Sequence, residues 1–364
     1  MIGALLRIRR ILARTFGERV RPLLALPLLV THRLTVVAGW ALDPWVWPGL
    51  RAHRTRPPIF VIGNPRSGTT FLHRWLVRQG FGAGFQLWQL LWPALTPRPL
   101  VRPLLGVLER VSPARFHGTV AHPTSLTSVE TDDAMLFFRF GDGLFGWGYF
   151  LAWDEVEHDD ELDARLRERA PRDFAFLAEA QRRNSLWHGR DRAVGKLFSA
   201  TLRPKETLDA FPEARFLYLV RDPVEVIPSG LSLVLGVLGR GYDLEGVPPA
   251  TRARFVRRLY RASLRMYRRM ADAYLAGELP PDRVRVVRYD RLMTDFAEEM
   301  TAIAAFVGQP VDTALREAMD VTAGQQARWE SAHRYRPEDF GLTAEEIRAD
   351  AAFVYEVFGL PSGQ

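Results

Sequence analysis

FVIGNPRSGTTFLHRWL, residues 60–76, is the stretch that decides how this chain folds. The apolar run ending at Gly63 reads as a buried strand over 59–63. GNPRSGTT then sets Gly63 and Gly68 five residues apart, and Thr69 to Gln79 reads as a helix with Gly80 as its C-terminal cap. In such a strand–turn–helix the backbone N–H groups of the turn point inward, and the helix adds its positive N-terminal end. Gly68 tolerates the backbone angles required, and Ser67, Thr69 and Thr70 add hydroxyl donors. The turn is an anion cradle. It is not the usual nucleotide-triphosphatase loop, which needs Lys directly after the second Gly and then Ser or Thr for magnesium. Thr69 stands where that lysine would be, and the basic residue, Arg66, precedes the second glycine.

Working outward, RFLYLVRDPVEVIPSG (215–230) reads as a buried strand over 215–220 that ends at Arg221. Asp222-Pro223 then starts a helix carrying Ser229. An arginine at the carboxyl end of a strand and a serine on the next helix can converge on one phosphate, and ligands of open α/β sheets sit at those ends. The alternative makes Arg221–Asp222 a surface ion pair and Ser229 an ordinary helix hydroxyl. RAVGKLF reads as a further short strand, RVRVVRY (283–289) as an alternating one, and helical runs of about 160–186, 251–276 and 294–307 separate them. The expected fold is α/β, a P-loop-like parallel sheet flanked by helices on both faces.

Composition agrees with a folded soluble protein, being 47% hydrophobic and 25% charged. There are no cysteines, which excludes disulfides, thiol nucleophiles and cysteine metal sites. The net charge of +7 favours an anionic ligand or an anionic membrane surface. No motif for binding nucleic acid, with aromatics between the basic residues, accompanies it.

Residues 1–56 read as a helical, partly amphipathic N-terminal extension, with the main domain over 57–364. Leu5, Ile8, Leu12 and Phe16 fall on one helical face and Arg7, Arg10 and Arg14 on another. Two readings follow, a helix packed on the domain or an interfacial helix attracted to anionic lipid. PLLALPLLV (22–30) is interrupted by His32 and Arg33, so no run reaches the roughly 20 apolar residues of a membrane span. The expected location is cytoplasmic, with peripheral membrane contact under the second reading. The apolar, proline-broken segment 85–111 reads as core helices by default; a wall for a greasy acceptor or a membrane-facing patch are the alternatives.

The motifs PRSGTTFL, GKLF…FPEARFLYLVRDPVEVIPS and VRYDRL resemble the sulfotransferases that use 3′-phosphoadenosine 5′-phosphosulfate (PAPS), in the broad bacterial and animal branch with Arg in its first loop. That loop is also similar to the one in tyrosylprotein sulfotransferases, and the tail HRYRPEDFGLTAEEI…YEVFGL is similar to the end of the same branch. The resemblance covers about Pro58 to Leu360. It implies that Arg66, Ser67, Gly68, Thr69 and Thr70 hold the 5′-phosphosulfate, that Arg221 and Ser229 hold the 3′-phosphate, and that Tyr289 lies near the adenine. Arg328, His333 and Arg334 are candidates for a basic segment closing over the nucleotide.

The implied reaction passes a sulfuryl group from PAPS to an acceptor hydroxyl, or less favourably an amine. Arg66 can stabilise charge on the bridging oxygen with a permanent charge and a two-pronged fork. Lys196 fits a second such role, since the family places a lysine about two dozen residues before the phosphate-binding arginine and Lys196 stands 25 before Arg221. No metal is expected. The acceptor also needs a base, and both familiar ones are missing: Phe198 stands where the small-molecule branch has histidine, and GAGFQLW (82–88) offers Gln86 rather than the glutamate of the tyrosylprotein enzymes. Candidates remain in AHPTSLTSVETDD (121–133), where Glu130 or His122 is the expected base among Glu130, Asp132 and Asp133. The alternative there is a helix N-cap by Ser128 with dipole-favoured acids in the first turn. The expected acceptor is a hydrophobic small molecule or lipid. The competing functions are another P-loop transferase or kinase, predicting magnesium and ATP, and a non-catalytic relative that binds PAPS or lipid.

Overall fold

The computed structural model describes residues 2–111, 124–326 and 335–361. Four strands, β1 (Ile59–Gly63), β2 (Val194–Lys196), β3 (Arg215–Val220) and β4 (Val284–Arg288), form one parallel sheet in the order β2-β1-β3-β4. β1 is central, pairing Ile59 with Val194 on one side and with Arg215 on the other. Because every strand runs the same way, Gly63, Lys196, Arg221 and Tyr289 all emerge at one edge.

Successive side chains on a strand point to opposite faces. Phe60, Ile62, Phe216, Tyr218 and Val220 therefore pack with Phe174, Leu177, Tyr267 and Phe358. Ile59, Val61, Leu217, Leu219 and Val287 pack on the other face with Leu72, Trp75, Met300 and Ile303. Both faces are covered, which is why the central strands β1 and β3 are apolar without alternation, while β4 at the edge, VRVVR, keeps partly exposed arginines. A third cluster beside the sheet joins Trp153, Phe198, Ile227, Leu231 and Phe255.

The expected strands and helices fall close to the observed ones. The helix after the first turn is Thr69–Arg78, and Gly80 follows it with φ 79°. Helix Pro223–Gly241 starts at Asp222, whose carboxylate accepts the N–H of Val224 at 2.8 Å. Among the described residues it is the one helix long and apolar enough to cross a membrane. Here Ile227, Leu231, Leu235 and Leu238 are core residues.

The two N-terminal helices behave differently. In Ile2–Phe16 the apolar face is packed on the domain. Ile8, Ile11 and Leu12 are buried, Phe16 stacks on Tyr242 with ring centres 4.6 Å apart, and Arg7 pairs with Glu161 at 3.2 Å. Helix Arg21–Val46 is anchored by a buried polar cluster, in which Asp43 accepts the N–H groups of Leu95 and Thr96 and pairs with Arg183 Nε at 2.7 Å. The default reading of 85–111 as core holds for Phe85, Trp88, Leu90, Ala94 and Leu95, which are buried; Leu100, Leu104 and Val107 are exposed instead.

Candidate functional site

The turn after β1 is shaped by two residues with left-handed backbones. Gly68 has φ 95°, and a Cβ there would lie 2.5 Å from the ring of Tyr289, so glycine is required on both grounds. Arg66 has φ 77° and is the one non-glycine residue with positive φ among those described. Such a conformation costs about 1–3 kcal/mol and persists only where surrounding contacts hold it. They do: its Nε donates to Ser229 Oγ at 2.9 Å, and its carbonyl accepts Arg221 Nη1 at 3.4 Å. Ser67 closes the turn, its hydroxyl donating to the Asn64 carbonyl at 2.7 Å. With Gly68 as N-cap, the helix Thr69–Arg78 has no side-chain cap, and its first N–H groups remain available to an anion.

Arg221 leaves the end of β3 and lies over the ring of Tyr289, its guanidinium carbon 4.1 Å from the ring centre, while its Nε donates to Glu225 at 2.7 Å. Its own carbonyl accepts the Tyr267 hydroxyl at 2.9 Å. The surface-pair alternative put Asp222 beside Arg221; the partner is Glu225, one helical turn on, because Asp222 is taken up capping the helix and accepting the Tyr355 hydroxyl. Arg66 and Arg221 thus stand side by side. Burial lowers the Arg66 pKa and the neighbouring Arg221 charge lowers it further, against the raising effect of Tyr335 and Tyr289. Among the described residues Arg66 is met by hydroxyls, those of Ser229 and Tyr335, rather than by a carboxylate. Two guanidinium groups side by side, with Glu225 compensating Arg221 but, among the described residues, no carboxylate on Arg66, leave room for an anion between them.

Lys196 ends β2 on the other flank of β1. It is almost wholly buried, and its Nζ donates to Thr70 Oγ1 at 2.9 Å. Burial pushes its pKa down to about 8, with Glu130, 3.9 Å away, pulling the other way. Phe198, the residue noted for standing where the small-molecule branch has histidine, lines the cavity with its ring centre 5.5 Å from Nζ.

The acids after residue 129 divide. Glu130 lines the cavity, accepts Arg74 Nη2 at 2.7 Å and is bonded to the Ser128 hydroxyl at 2.9 Å. Asp133 turns inward and accepts the N–H groups of Phe198 and Ser199, and Asp132 is buried behind β2 beside Gln181. Burial raises both their pKa values. The N-cap of helix Asp132–Phe140 is Thr131, not Ser128, because Thr131 precedes the first turn and its Oγ1 accepts the Asp133 N–H. His122, Arg328, His333 and Arg334 lie outside the described residues.

Two residues belong to this cluster that the motifs did not single out. Arg74 lies one turn beyond Thr70 on the same helical face, a spacing that could have marked it. Tyr335 sits within HRYRPEDF, where only its basic neighbours attracted notice. His73, on the same helix, is buried against the Val194 carbonyl; burial and Lys196 push its pKa down to about 3, which leaves it neutral.

Arg66, Gly68, Thr69 and Thr70 of the cradle line one cavity of about 1920 Å³ together with Arg221, Ser229, Lys196, Glu130 and Tyr289, whereas Ser67 is fully buried behind the turn and is not part of the lining. The same cavity is walled by Phe137, Phe145, Trp147, Leu231, Leu259 and Met266. One space therefore offers two cationic grips for an anion and an apolar chamber far larger than the anion needs. Among the described residues no group of three or more His, Asp or Glu side chains is placed to hold a metal ion.

The model of a protein family described as the sulfotransferase family matches residues 57–313. Two relatives, the omega-hydroxy-beta-dihydromenaquinone-9 sulfotransferases Stf3 of Mycobacterium bovis and Mycobacterium tuberculosis, are each 26% identical over 252 residues, covering 66% of this chain and 59% of theirs. The chain thus matches less than two thirds of the length of these relatives. Among solved structures, sulfotransferase STF1 of Mycobacterium tuberculosis superposes with a TM-score of 0.72 at 20% identity, over 96% of this chain and 90% of that one. Sulfotransferase STF9 of Mycobacterium avium gives 0.65 at 17% identity, over 88% and 81%. At these identities the superpositions speak for the α/β fold alone. The family match covers well over half of the residues, and with the strand-end cradle it leads to one conclusion: the chain belongs to the sulfotransferase family.

Proposed function

We propose that this protein transfers a sulfuryl group from PAPS to a hydroxyl of a hydrophobic or lipid-like acceptor, and that residues 57–364 carry the activity. The observation that carries the reading is the meeting, in one cavity, of the glycine cradle with Arg66 and Lys196, the Arg221–Ser229 pair, and a large aromatic chamber. The names of the Stf3 relatives support an acceptor with a hydroxyl on an apolar body.

In this reading PAPS, as substrate, supplies an activated sulfuryl group. Gly68, Thr69 and Thr70 bind the 5′-phosphosulfate with backbone N–H and hydroxyl groups while Ser67 holds the turn in shape from behind, and Arg221 with Ser229 binds the 3′-phosphate. Gly68 carries no side chain where a Cβ would strike Tyr289, so backbone amides can approach an oxyanion closely. The acceptor oxygen forms a bond to sulfur as the bond from sulfur to the bridging phosphate oxygen breaks. Arg66 and Lys196 neutralise the charge that gathers on that oxygen. Glu130, oriented by Arg74 and Ser128, takes the acceptor hydroxyl proton.

The test is transfer of labelled sulfate from PAPS to a long-chain isoprenoid or fatty alcohol, with and without protein. Titration with adenosine 3′,5′-bisphosphate and with ATP accompanies it. Transfer and preferential binding of the bisphosphate are expected. Tight ATP binding with no response to the bisphosphate would overturn the reading.

A further inference from the structure

Helix Arg21–Val46 is built inside out. Over residues 27–46 its charged groups and His32 face the domain, and the outward polar groups are the hydroxyls of Thr31 and Thr35. Asp43 is fully buried against Arg183, His32 bonds to the Leu91 carbonyl at 2.9 Å, and Arg33 donates to the carbonyl of Arg139. The side turned outward carries Leu28, Leu34, Leu42 and Trp45, exposed by 73, 65, 49 and 75%, with Ala38 and Ala41 between them. No Asp, Glu, Lys or Arg of this stretch is exposed. A helix on a water-soluble surface has the opposite arrangement. An outer face of this kind suits apolar surroundings.

The neighbouring chain extends the feature. Gly39 packs so closely on the segment below that a Cβ would lie 2.8 Å from Pro97 Cδ. Immediately beyond, Leu100, Leu104 and Val107 are also exposed, one in each of the short helical pieces Arg98–Val101, Arg102–Leu104 and Leu105–Val111. Arg51, Arg54 and Arg102 are exposed in the chain segments that adjoin these apolar groups in sequence, and the Arg51 guanidinium lies 5.1 Å from the ring of the outward Trp45. An aromatic ring beside cations, at the border of an apolar face, is the arrangement a headgroup layer selects.

We propose that this face seats on an anionic lipid bilayer as an interfacial helix, without crossing it. The polar anchor through Asp43 keeps one side of the helix on the domain while the outer side enters the headgroup boundary, and the arginines meet lipid phosphates. The site is close at hand, since Leu91, bonded to His32 of this helix, also lines the cavity. The first helix, Ile2–Phe16, is not the anchor, because its apolar face is already used on the domain. The proposal concerns the surface alone and does not depend on the donor or the acceptor.

The full chain is sedimented with vesicles of mixed phosphatidylcholine and phosphatidylglycerol, and with phosphatidylcholine alone. Binding to the mixed vesicles, weakened by added salt, is expected. The triple variant Leu34→Gln, Leu42→Gln, Trp45→Gln should lower vesicle partitioning by about ten-fold or more, with affinity for adenosine 3′,5′-bisphosphate and the melting temperature kept. The variant Leu34→Met, Leu42→Met should bind vesicles like the parent. Failure of the parent chain to bind, or equal binding by the triple variant, overturns the proposal. So does a parent dimer that the triple variant converts to monomer without any vesicle binding, which would make the face a contact between two copies of this chain.

Discussion

Lys196→Met separates what the buried ammonium does for chemistry from what it does to the fold. The amine ends β2 almost without solvent contact, and burial brings its pKa from 10.5 to about 8. A displacement of that size corresponds to about 3 kcal/mol of differential cost between the charged and neutral forms. The sign follows from proton counting. Between pH 8 and 10.5 the unfolded chain holds a proton on this lysine that the folded chain has lost, so stability rises with pH across that window. Below pH 8 the folded protein carries the charge and bears its full burial cost. Methionine fills a similar volume without the charge, and Glu130 keeps Arg74 as its partner. At pH 7 the variant should therefore melt higher than the parent by about 4 °C, given the entropy of unfolding of a chain of this size. The difference should shrink as pH rises and vanish near the unfolded pKa. In the same protein, transfer from PAPS should fall by about 10²–10³-fold, as when one preorganised donor to a developing oxyanion is lost. Calorimetry of the unliganded protein at several pH values and single-turnover sulfate transfer make the two measurements. A variant that melts lower than the parent at pH 7, or that transfers sulfate within a few-fold of it, refutes the reasoning.

Three further outcomes are expected. Gly68→Ala places a methyl group 2.5 Å from the Tyr289 ring at φ 95°, and calorimetric affinity for adenosine 3′,5′-bisphosphate should drop by more than about ten-fold. Arg221→Ala should weaken the same nucleotide by about 2 kcal/mol or more, but weaken adenosine 5′-phosphosulfate, which lacks the 3′-phosphate, far less; equal losses would remove Arg221 from the 3′ grip. Glu130→Gln should lower kcat by about 10²-fold with bisphosphate affinity kept, whereas Asp133→Ala, which strips the acceptor from the N–H groups of Phe198 and Ser199, should lower stability by about 1–3 kcal/mol. A Glu130 variant with full kcat would dismiss that residue as the base.

The four strands, the two turns at their carboxyl ends and the helices after them were legible in the amino-acid sequence, because each is written in neighbouring residues. Apolar runs make the strands, Gly63 and Gly68 make the turn, and Asp222-Pro223 starts the helix. The tertiary structure decided which of these side chains meet. Lys196 and Thr70, 126 residues apart, bond because β2 pairs beside β1, and no local pattern encodes that neighbour. The same holds for the acids: Glu130 is already the favoured one in the sequence, but the fates of Asp132 and Asp133 are not legible there, and the position of β2 sends Asp133 to the N–H of Phe198 while Glu130 faces the cavity. It holds again at the N-terminus, where an amphipathic pattern in Ile2–Phe16 was spent on the domain and the inverted helix Arg21–Val46 became visible only once Asp43 was seen against Arg183. Local propensity acts over a few residues, but burial and pairing are properties of the whole packed chain.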